Sequence, residues 1–470
     1  MLAESDINQY KLCEFAENGK LDKLIYICGY LDKNGKNAKY NLDIAGYYPN
    51  NNWDYTNNYA IRYACENGCL DIVVYLMENW SHIIDITADN NYAIRYACNN
   101  GHIELIVYLM EKWSHLIDIT AENNYVIRYA CRYGHIDLVV YLMENWSHLI
   151  DITAKNNYAI QDACYYGHIL VVKYLMNNWS HLIDITAENN CAIRYVFENG
   201  RFEVVVYLME NWSHLIDITA DNNNAIRSAC KYGHILVVKY LMDNWSHLID
   251  IADHDNYAIR YACENGFFKV VVYLMENWSH LIDITADDNV SICSACYNGH
   301  FEVVVYLMKN WSHLIDITAK DNCSIRYACI NDHIDLVVYL MDNWSHLIDI
   351  TVYDNCAIRF ACYNNHILVV KYLIAVSTKK ILDHGIQTDD INKIIKLLVD
   401  NKCIYEYYLL TDELKKRKNL FNCNEKIEEQ IENKQNLCAE IECHPGLISG
   451  QMGKNCEEGF EKVVKLLEKI

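Results

Sequence analysis

The sequence predicts an all-α solenoid built from one repeated helix-turn-helix unit, and three observations carry that expectation. Nine tryptophans, Trp80, Trp113, Trp146, Trp179, Trp212, Trp245, Trp278, Trp311 and Trp344, stand 33 residues apart, which is the mark of a repeat architecture. Within each period a glycine parts two short apolar patterns with helical spacing. Each period then closes on a polar, asparagine-rich connector that suits a turn.

In chain order, residues 1–56 come first as a degenerate capping repeat and a loop. Leu12-Cys13-Glu14-Phe15-Ala16-Glu17-Asn18-Gly19 followed by Leu21 and Leu24-Ile25 copies the unit with more charge, as the exposed end of a stack requires. Gly19 precedes Gly68 by 49 residues rather than 33, so a longer loop of the extra residues sits between them. Residues 57–374 hold about ten units in one frame.

In the unit 125–157, the first helix runs over Val126–Tyr133, carries the small pair Ala130-Cys131 and follows Asn124, an expected N-cap. That asparagine recurs from Asn58 to Asn355. Gly134 supplies a left-handed break, a role that Asp332 and Asn365 take over in two copies. Ile136, Val139, Val140 and Met143 then give the buried stripe of a second helix. Residues 375–402 read as a degenerate repeat or cap, with Ile391, Ile394, Ile395 and Leu398 on one helical face. Residues 403–470 read as a charged, helical tail ending in an eroded repeat around Cys456–Val464.

The Ala-Cys-x-x-Gly-His-x-x-x-Val-Val core of these units resembles the ankyrin-repeat family over residues 57–374. The resemblance implies stacked helix-turn-helix units joined by short connectors or hairpins, a concave groove, and a protein partner held in it. Two departures stand out. The family's Thr-Pro-Leu-His opening is replaced by Tyr92-Ala93-Ile94-Arg95 and its equivalents, with Pro49 and Pro445 the chain's two prolines, and Gly-Ala-Asp after the second helix is replaced by Trp-Ser-His. Openings of the Asn-Asn-Tyr-Ala-Ile-Arg type resemble those of ankyrin-repeat proteins from giant DNA viruses of amoebae, which implies a partner from the host cell and a place in the host cytoplasm.

Charge and composition exclude several function classes. With 40 basic against 62 acidic side chains and a net charge of -22, a broad phosphate-binding surface is disfavoured, and nucleic acid is not an expected partner. No apolar run approaches the length of a membrane span, so no membrane is expected. Twenty-one cysteines, and a start without the basic-then-apolar pattern of a leader, predict reduced thiols and an intracellular protein.

The histidines after Trp-Ser, from His82 to His346, form a ladder with one rung per unit, whereas a metal site needs converging ligands. No metal or cofactor is expected there. Cys293-Ser294-Ala295-Cys296 places its second thiol at the routine core position and is not expected to be a redox pair. The tail residues Cys423, Cys438, Cys443, His444 and Cys456 match no paired zinc spacing, and Gly446–Lys454 lacks the glycine and hydroxyl of a phosphate loop. The arginine ladder from Arg62 to Arg359 is read as bonding the neighbouring connector, at positions such as Asp118. Serine, histidine and aspartate recur in equivalent positions, unlike a singular catalytic group, so the chain is expected to be non-enzymatic.

Positions that repeat build the stack, so positions that vary are the ones free to distinguish a partner. At the end of the first helices these are Arg132, Tyr133, Tyr165, Tyr166, Glu198, Lys231, Tyr232, Glu264, Tyr297 and Tyr363. At the connector tips they are Glu122, Lys155, Glu188, Asp221 and His254. The resemblance places both sets along a groove, and tyrosine suits such a surface because its rigid ring brings contact area together with a hydroxyl. The expected function is a monomeric scaffold for protein-protein interaction. The alternative is an adaptor whose C-terminal tail, with Leu409–Leu414 as its echo, recruits a ubiquitin ligase or another machine.

Overall fold

A computed structural model describes residues 8–37, 42–46, 58–350, 352–364, 366–373 and 376. Expectations for residues 375–402 (Val376 aside) and 403–470, including the cysteine set and the tail motif, lie outside the described residues, as does Asn365. The N-terminal segment forms α1 (Gln9–Glu17) and α2 (Leu21–Cys28) around Gly19, followed by a two-residue antiparallel ladder of β1 (Lys36–Asn37) and β2 (Leu42–Asp43). This is the single strand pairing among the described residues.

Helix pairs then follow. They are α3 (Tyr59–Glu66) with α4 (Leu70–Trp80), α5 (Ala88–Asn99) with α6 (Ile103–Trp113), and α7 (Ala121–Arg132) with α8 (Ile136–Trp146). Next are α9 (Ala154–Tyr166) with α10 (Ile169–Trp179), α11 (Ala187–Glu198) with α12 (Phe202–Trp212), and α13 (Ala220–Lys231) with α14 (Ile235–Trp245). The last are α15 (Asp253–Glu264) with α16 (Phe268–Trp278), α17 (Ala286–Tyr297) with α18 (Phe301–Trp311), α19 (Ala319–Ile330) with α20 (Ile334–Trp344), and α21 (Val352–Tyr363). Two compact units result, Met1–Ala229 with Leu236–Ile249, and Cys230–Ile235 with Asp250–Ile470.

Inside the first unit, the odd-numbered helices from α1 to α11 pack side by side, and so do α2 with α4, α4 with α6, α8 with α10 and α10 with α12. In the second, α15, α17, α19 and α21 pack in series, as do α16, α18 and α20. The Ala-Cys pair explains the close layer of first helices. Ala130 and Cys131 have no exposed surface, and side chains this small let helix backbones approach. In the second helix the buried stripe is Leu138, Val139, Leu142 and Met143, while Ile136 and Val140 are half-buried. The expected stripe is therefore rotated by one position.

The turn between the paired helices follows the sequence. Gly134 has φ 75°, and the N–H of His135 reaches back to the Ala130 carbonyl at 3.0 Å, the closure of a glycine-terminated helix. Asp332 adopts φ 61° in the same role. In the connector, Ile150 and Ile152 are buried while the intervening Asp151 is exposed. The Asp151 carboxylate accepts from the Thr153 N–H at 2.9 Å and from the Thr153 hydroxyl at 2.7 Å, which turns the chain toward the next unit.

The start of α5, α7, α9, α13, α15, α17 and α19 departs from expectation. Three consecutive residues there are left-handed: Asp89, Asn90 and Asn91 have φ 56°, 52° and 61°, and Glu122, Asn123 and Asn124 have φ 55°, 57° and 59°. Asn124 does not cap its own helix. Its side-chain oxygen accepts the backbone N–H of Asp151 at 2.9 Å. The same bond runs from Asn91 to Asp118, Asn157 to Asp184, Asn256 to Asp283, Asn289 to Asp316 and Asn322 to Asp349. Buried asparagine thus ties one connector to the next, at a place where its side chain also tolerates the left-handed region.

Candidate partner-binding surface

Four recurrent side chains are consumed by the stack. The arginines do not bond Asp118, whose carboxylate is taken by Thr120. Arg95 instead donates from Nε to the Asn90 carbonyl at 2.8 Å and from Nη2 to the Asp89 carbonyl at 3.0 Å. Arg128 and Arg326 repeat this fork on the left-handed turn of the connector that precedes their units, so the arginines do bond the neighbouring connector, at its carbonyls rather than at the Asp118 position. Gln161 keeps one arm of it, to the Asn156 carbonyl at 2.7 Å. A left-handed turn of non-glycine residues costs about 1–2 kcal/mol per residue, and these charge-assisted bonds offset part of that. Arg62 and Arg260 also reach a tip carboxylate, Asp89 at 3.0 Å and Asp287 at 2.9 Å. Across units, the Arg62 guanidinium lies 4.6 Å from the Tyr92 ring centre and that of Arg95 5.0 Å from Tyr125, close enough for cation-π attraction.

The histidine after the turn glycine is a second such part, one that sequence reasoning passed over. His135 Nε2–H donates to the Asn99 carbonyl at 2.9 Å, and His102, His168, His300, His333 and His366 make the same bond to a carbonyl 36 residues earlier. Arg201 replaces the imidazole in one copy, donating to the Tyr165 carbonyl at 2.9 Å. The signal available in the sequence was the recurrent Gly-His pair, as at Gly101-His102, Gly134-His135 and Gly167-His168. The Trp-Ser-His histidines are different. They are exposed, and each described one from His82 to His313 lies over its own tryptophan. Among the described residues, no three His, Cys, Asp or Glu side chains stand together as a metal site, and no helix is long and apolar enough to cross a membrane.

The Ala-Cys thiols are sealed in the same way. Burial pushes Cys296 up to about 12 and raises Cys98, Cys131 and Cys164 well above the ordinary thiol range. One pair of cysteines stands apart from the Ala-Cys series. Cys293 and Cys323 face each other across a repeat boundary with Cα atoms 5.7 Å apart, while Cys296, the other member of the C-x-x-C, is free.

Against this framework the variable positions divide. Tyr133, Tyr232, Tyr297 and Tyr363 are exposed, at 47%, 41%, 49% and 78%. Tyr165 and Tyr166 are half-buried and belong to a built cluster. Arg132 donates to the Tyr166 hydroxyl at 2.7 Å, its guanidinium lies 5.1 Å from the Tyr166 ring centre, and it faces Asp162 at 3.9 Å. Burial raises the Asp162 carboxyl, and Arg132 and Arg128 oppose that rise. Tyr165 meets Tyr166 and Tyr195 edge-on, at 4.8 and 5.1 Å. Lys231 sits over Tyr232 and Tyr261 at 5.4 and 5.5 Å.

Glu198 and Glu264 are half-buried at the ends of α11 and α15. At the tips, Glu122, Lys155, Asp221 and His254 are exposed and left-handed, as is Glu188. Several are engaged. Glu122 and Glu188 accept from Asn90 and Asn156 of the preceding tips, Asp221 accepts from Asn224, and His254 pairs with Asp253 at 2.9 Å. The sequence reading also left out the leucine after each Trp-Ser-His, which is half exposed from Leu116 through Leu347.

A family model for ankyrin repeats, in runs of three copies, matches residues 61–156, 96–189, 127–222, 163–255, 190–288 and 292–383. These matches span well over half of the 470 residues. The chain is an ankyrin-repeat protein. Its helix pairs form an all-α ankyrin solenoid, and ankyrin repeats generally mediate protein-protein interaction. A search of curated proteins returns no match to this ankyrin-repeat chain.

Proposed function

We propose that this ankyrin-repeat protein is a non-enzymatic, monomeric scaffold that holds a protein partner against the ends of its first helices and the adjoining connector tips, the surface that lines the groove of an ankyrin array. The observation that supports this most is the division of labour among side chains. Recurrent Asn, Arg, His and Cys are engaged in joining units, whereas Tyr133, Tyr232, Tyr297 and Tyr363 vary from copy to copy and remain exposed. Aromatic anchors carry much of the energy of protein interfaces. The acidic balance of -22 favours a protein rather than a nucleic acid partner. Our reading places the protein in the cytoplasm of a cell infected by a giant virus, away from membranes, with a host protein as partner.

The test compares partner recovery from host-cell extract by the full-length chain and by one ending at residue 374. Groove-held partners are retained by both. Loss of every partner on truncation would replace this reading with the adaptor alternative, in which the tail recruits a ubiquitin ligase or another machine.

A further inference from the structure

We infer that Cys293 and Cys323 form a reversible oxidation site, a thiol pair that a low-molecular-weight disulfide converts into a covalent clamp between two successive repeats. The argument starts from position. Cys293 occupies the arginine position of α17 and Cys323 the opening aromatic position of α19, 30 residues later. At two other boundaries these positions meet as guanidinium on ring, Arg62 with Tyr92 and Arg95 with Tyr125. The next boundary retains the arginine and changes only its partner, with Arg326 Nη1 4.0 Å from the Cys356 sulfur. Among the described residues, the boundary between α17 and α19 alone carries a thiol on both sides.

Geometry then separates this pair from the other cysteines. The Cα atoms of Cys293 and Cys323 are 5.7 Å apart, inside the span of about 4.4–6.8 Å that a disulfide bridges. The neighbouring polar atom is the Ser324 hydroxyl, 3.8 Å from the Cys293 sulfur. Cys296 sits one turn away on the same helix, but it is a buried core thiol, free and pushed up to about 12. The other cysteines from Cys13 to Cys356 are likewise free.

The chemistry is thiol-disulfide exchange. The thiolate of one cysteine attacks a sulfur of the small disulfide, forming a mixed disulfide and releasing one small thiolate. The second cysteine's thiolate attacks the protein sulfur of that mixed disulfide, closing the bond between Cys293 and Cys323 and releasing the second small thiolate. The two protons lost by the cysteines end on the two released thiols, and the two electrons lost by the pair reduce the reagent. Cys293 and Cys323 are only 2% and 1% exposed, so exchange passes through local opening of α17 and α19. Once formed, the bond restrains both helices at a boundary where neither the guanidinium nor the ring is available.

The test uses the full-length chain treated with oxidised glutathione or with dithiothreitol, alkylated, and digested with trypsin without reduction. Cleavage leaves Cys293 and Cys296 in the peptide 270–309 and Cys323 in the peptide 321–326. The expected product joins these peptides in the oxidised wild type and in Cys296→Ser, and is absent from Cys293→Ser and Cys323→Ser. On the wild type alone, which needs no variant to fold, oxidation is expected to slow amide exchange in 286–297 and 319–330 at least about tenfold. A linkage that survives Cys293→Ser, or glutathione left on single cysteines with no linked pair, would overturn the proposal. So would a linked pair whose exchange in α17 and α19 is unchanged.

Discussion

The side-chain oxygen of Asn124 accepts the backbone N–H of Asp151 at 2.9 Å, across 27 residues and one repeat boundary. Asn124 is itself left-handed, with φ 59°, and buried. One residue type thus does two jobs that no other does equally well: it tolerates the left-handed region and it accepts a backbone proton from the next connector. The jobs separate on substitution. Asn124→Ala loses both and is expected to cost about 2–3 kcal/mol, while Asn124→Gly keeps the conformation and is expected to cost about 1 kcal/mol less. Chemical denaturation of the three proteins measures this, and equal midpoints for Ala and Gly would mean that the left-handed turn contributes nothing to the asparagine's presence.

The same bond shows where the sequence was legible and where it was not. Period, paired helices and turn glycine could be read because each is written in local pattern: a tryptophan every 33 residues, apolar spacing, Gly134 between two helices. Asn124 was misread because the local rule for an asparagine before a helix is a cap, and its real partner lies in the next unit. Arg95 does bond the neighbouring connector as expected, but its target there was misread for a related reason. Its targets are carbonyls of a left-handed turn, and a turn that places Glu122 or Lys155 at positive φ contradicts the usual preferences of those residues. The variable tyrosines could be found by comparing copies, but comparison does not distinguish exposed Tyr133 from Tyr166, which is bonded to Arg132.

Glycine and histidine of successive turns form a second coupled pair. Gly101 has φ 74°, and a Cβ added to it would stand 2.6 Å from Nδ1 of His135. Gly101→Ala therefore meets both a conformational cost of about 1–2 kcal/mol and a clash with the ring. In a His135→Ala background the clash is gone, so the same glycine change is expected to cost about 1 kcal/mol less there. A double-mutant cycle by urea denaturation checks this, and strict additivity would show that the ring yields freely.

Trp212 tests how much the most conspicuous residue of the repeat contributes. Its ring is half-buried and lies over His214 at 6.1 Å, with an indole N–H that has no partner. Trp212→Ala is expected to cost about 2–3 kcal/mol, below the roughly 3–5 kcal/mol typical of a fully buried ring. In a repeat array the loss should concentrate near that unit. Faster amide exchange confined to 180–245 is the expected result, and unchanged exchange there would assign the ring a surface role alone.

The exposed tyrosines give the most direct separation of binding from folding. Tyr133 in the first compact unit, and Tyr232 and Tyr297 in the second, are each more than two-fifths exposed. Substituting an exposed residue away from special features shifts stability by about 0.5 kcal/mol, whereas truncating an aromatic anchor in an interface costs about 2 kcal/mol or more of binding. Tyr133→Ala, Tyr232→Ala and Tyr297→Ala combined should therefore leave the melting temperature within a few degrees of the parent while partner recovery collapses. Tyr166 needs a different change, because its hydroxyl accepts from Arg132 at 2.7 Å and its removal would disturb the cluster with Asp162. Tyr166→Phe removes that acceptor and keeps the ring, so it is expected to cost about 1 kcal/mol of stability and little binding if the ring is the contact. Full recovery of every partner by the folded triple variant would move the recognition surface elsewhere. In that event the half-exposed leucines from Leu116 to Leu347 become the next surface to substitute, since they recur in every unit from α6 to α20 and the stack leaves them uncovered.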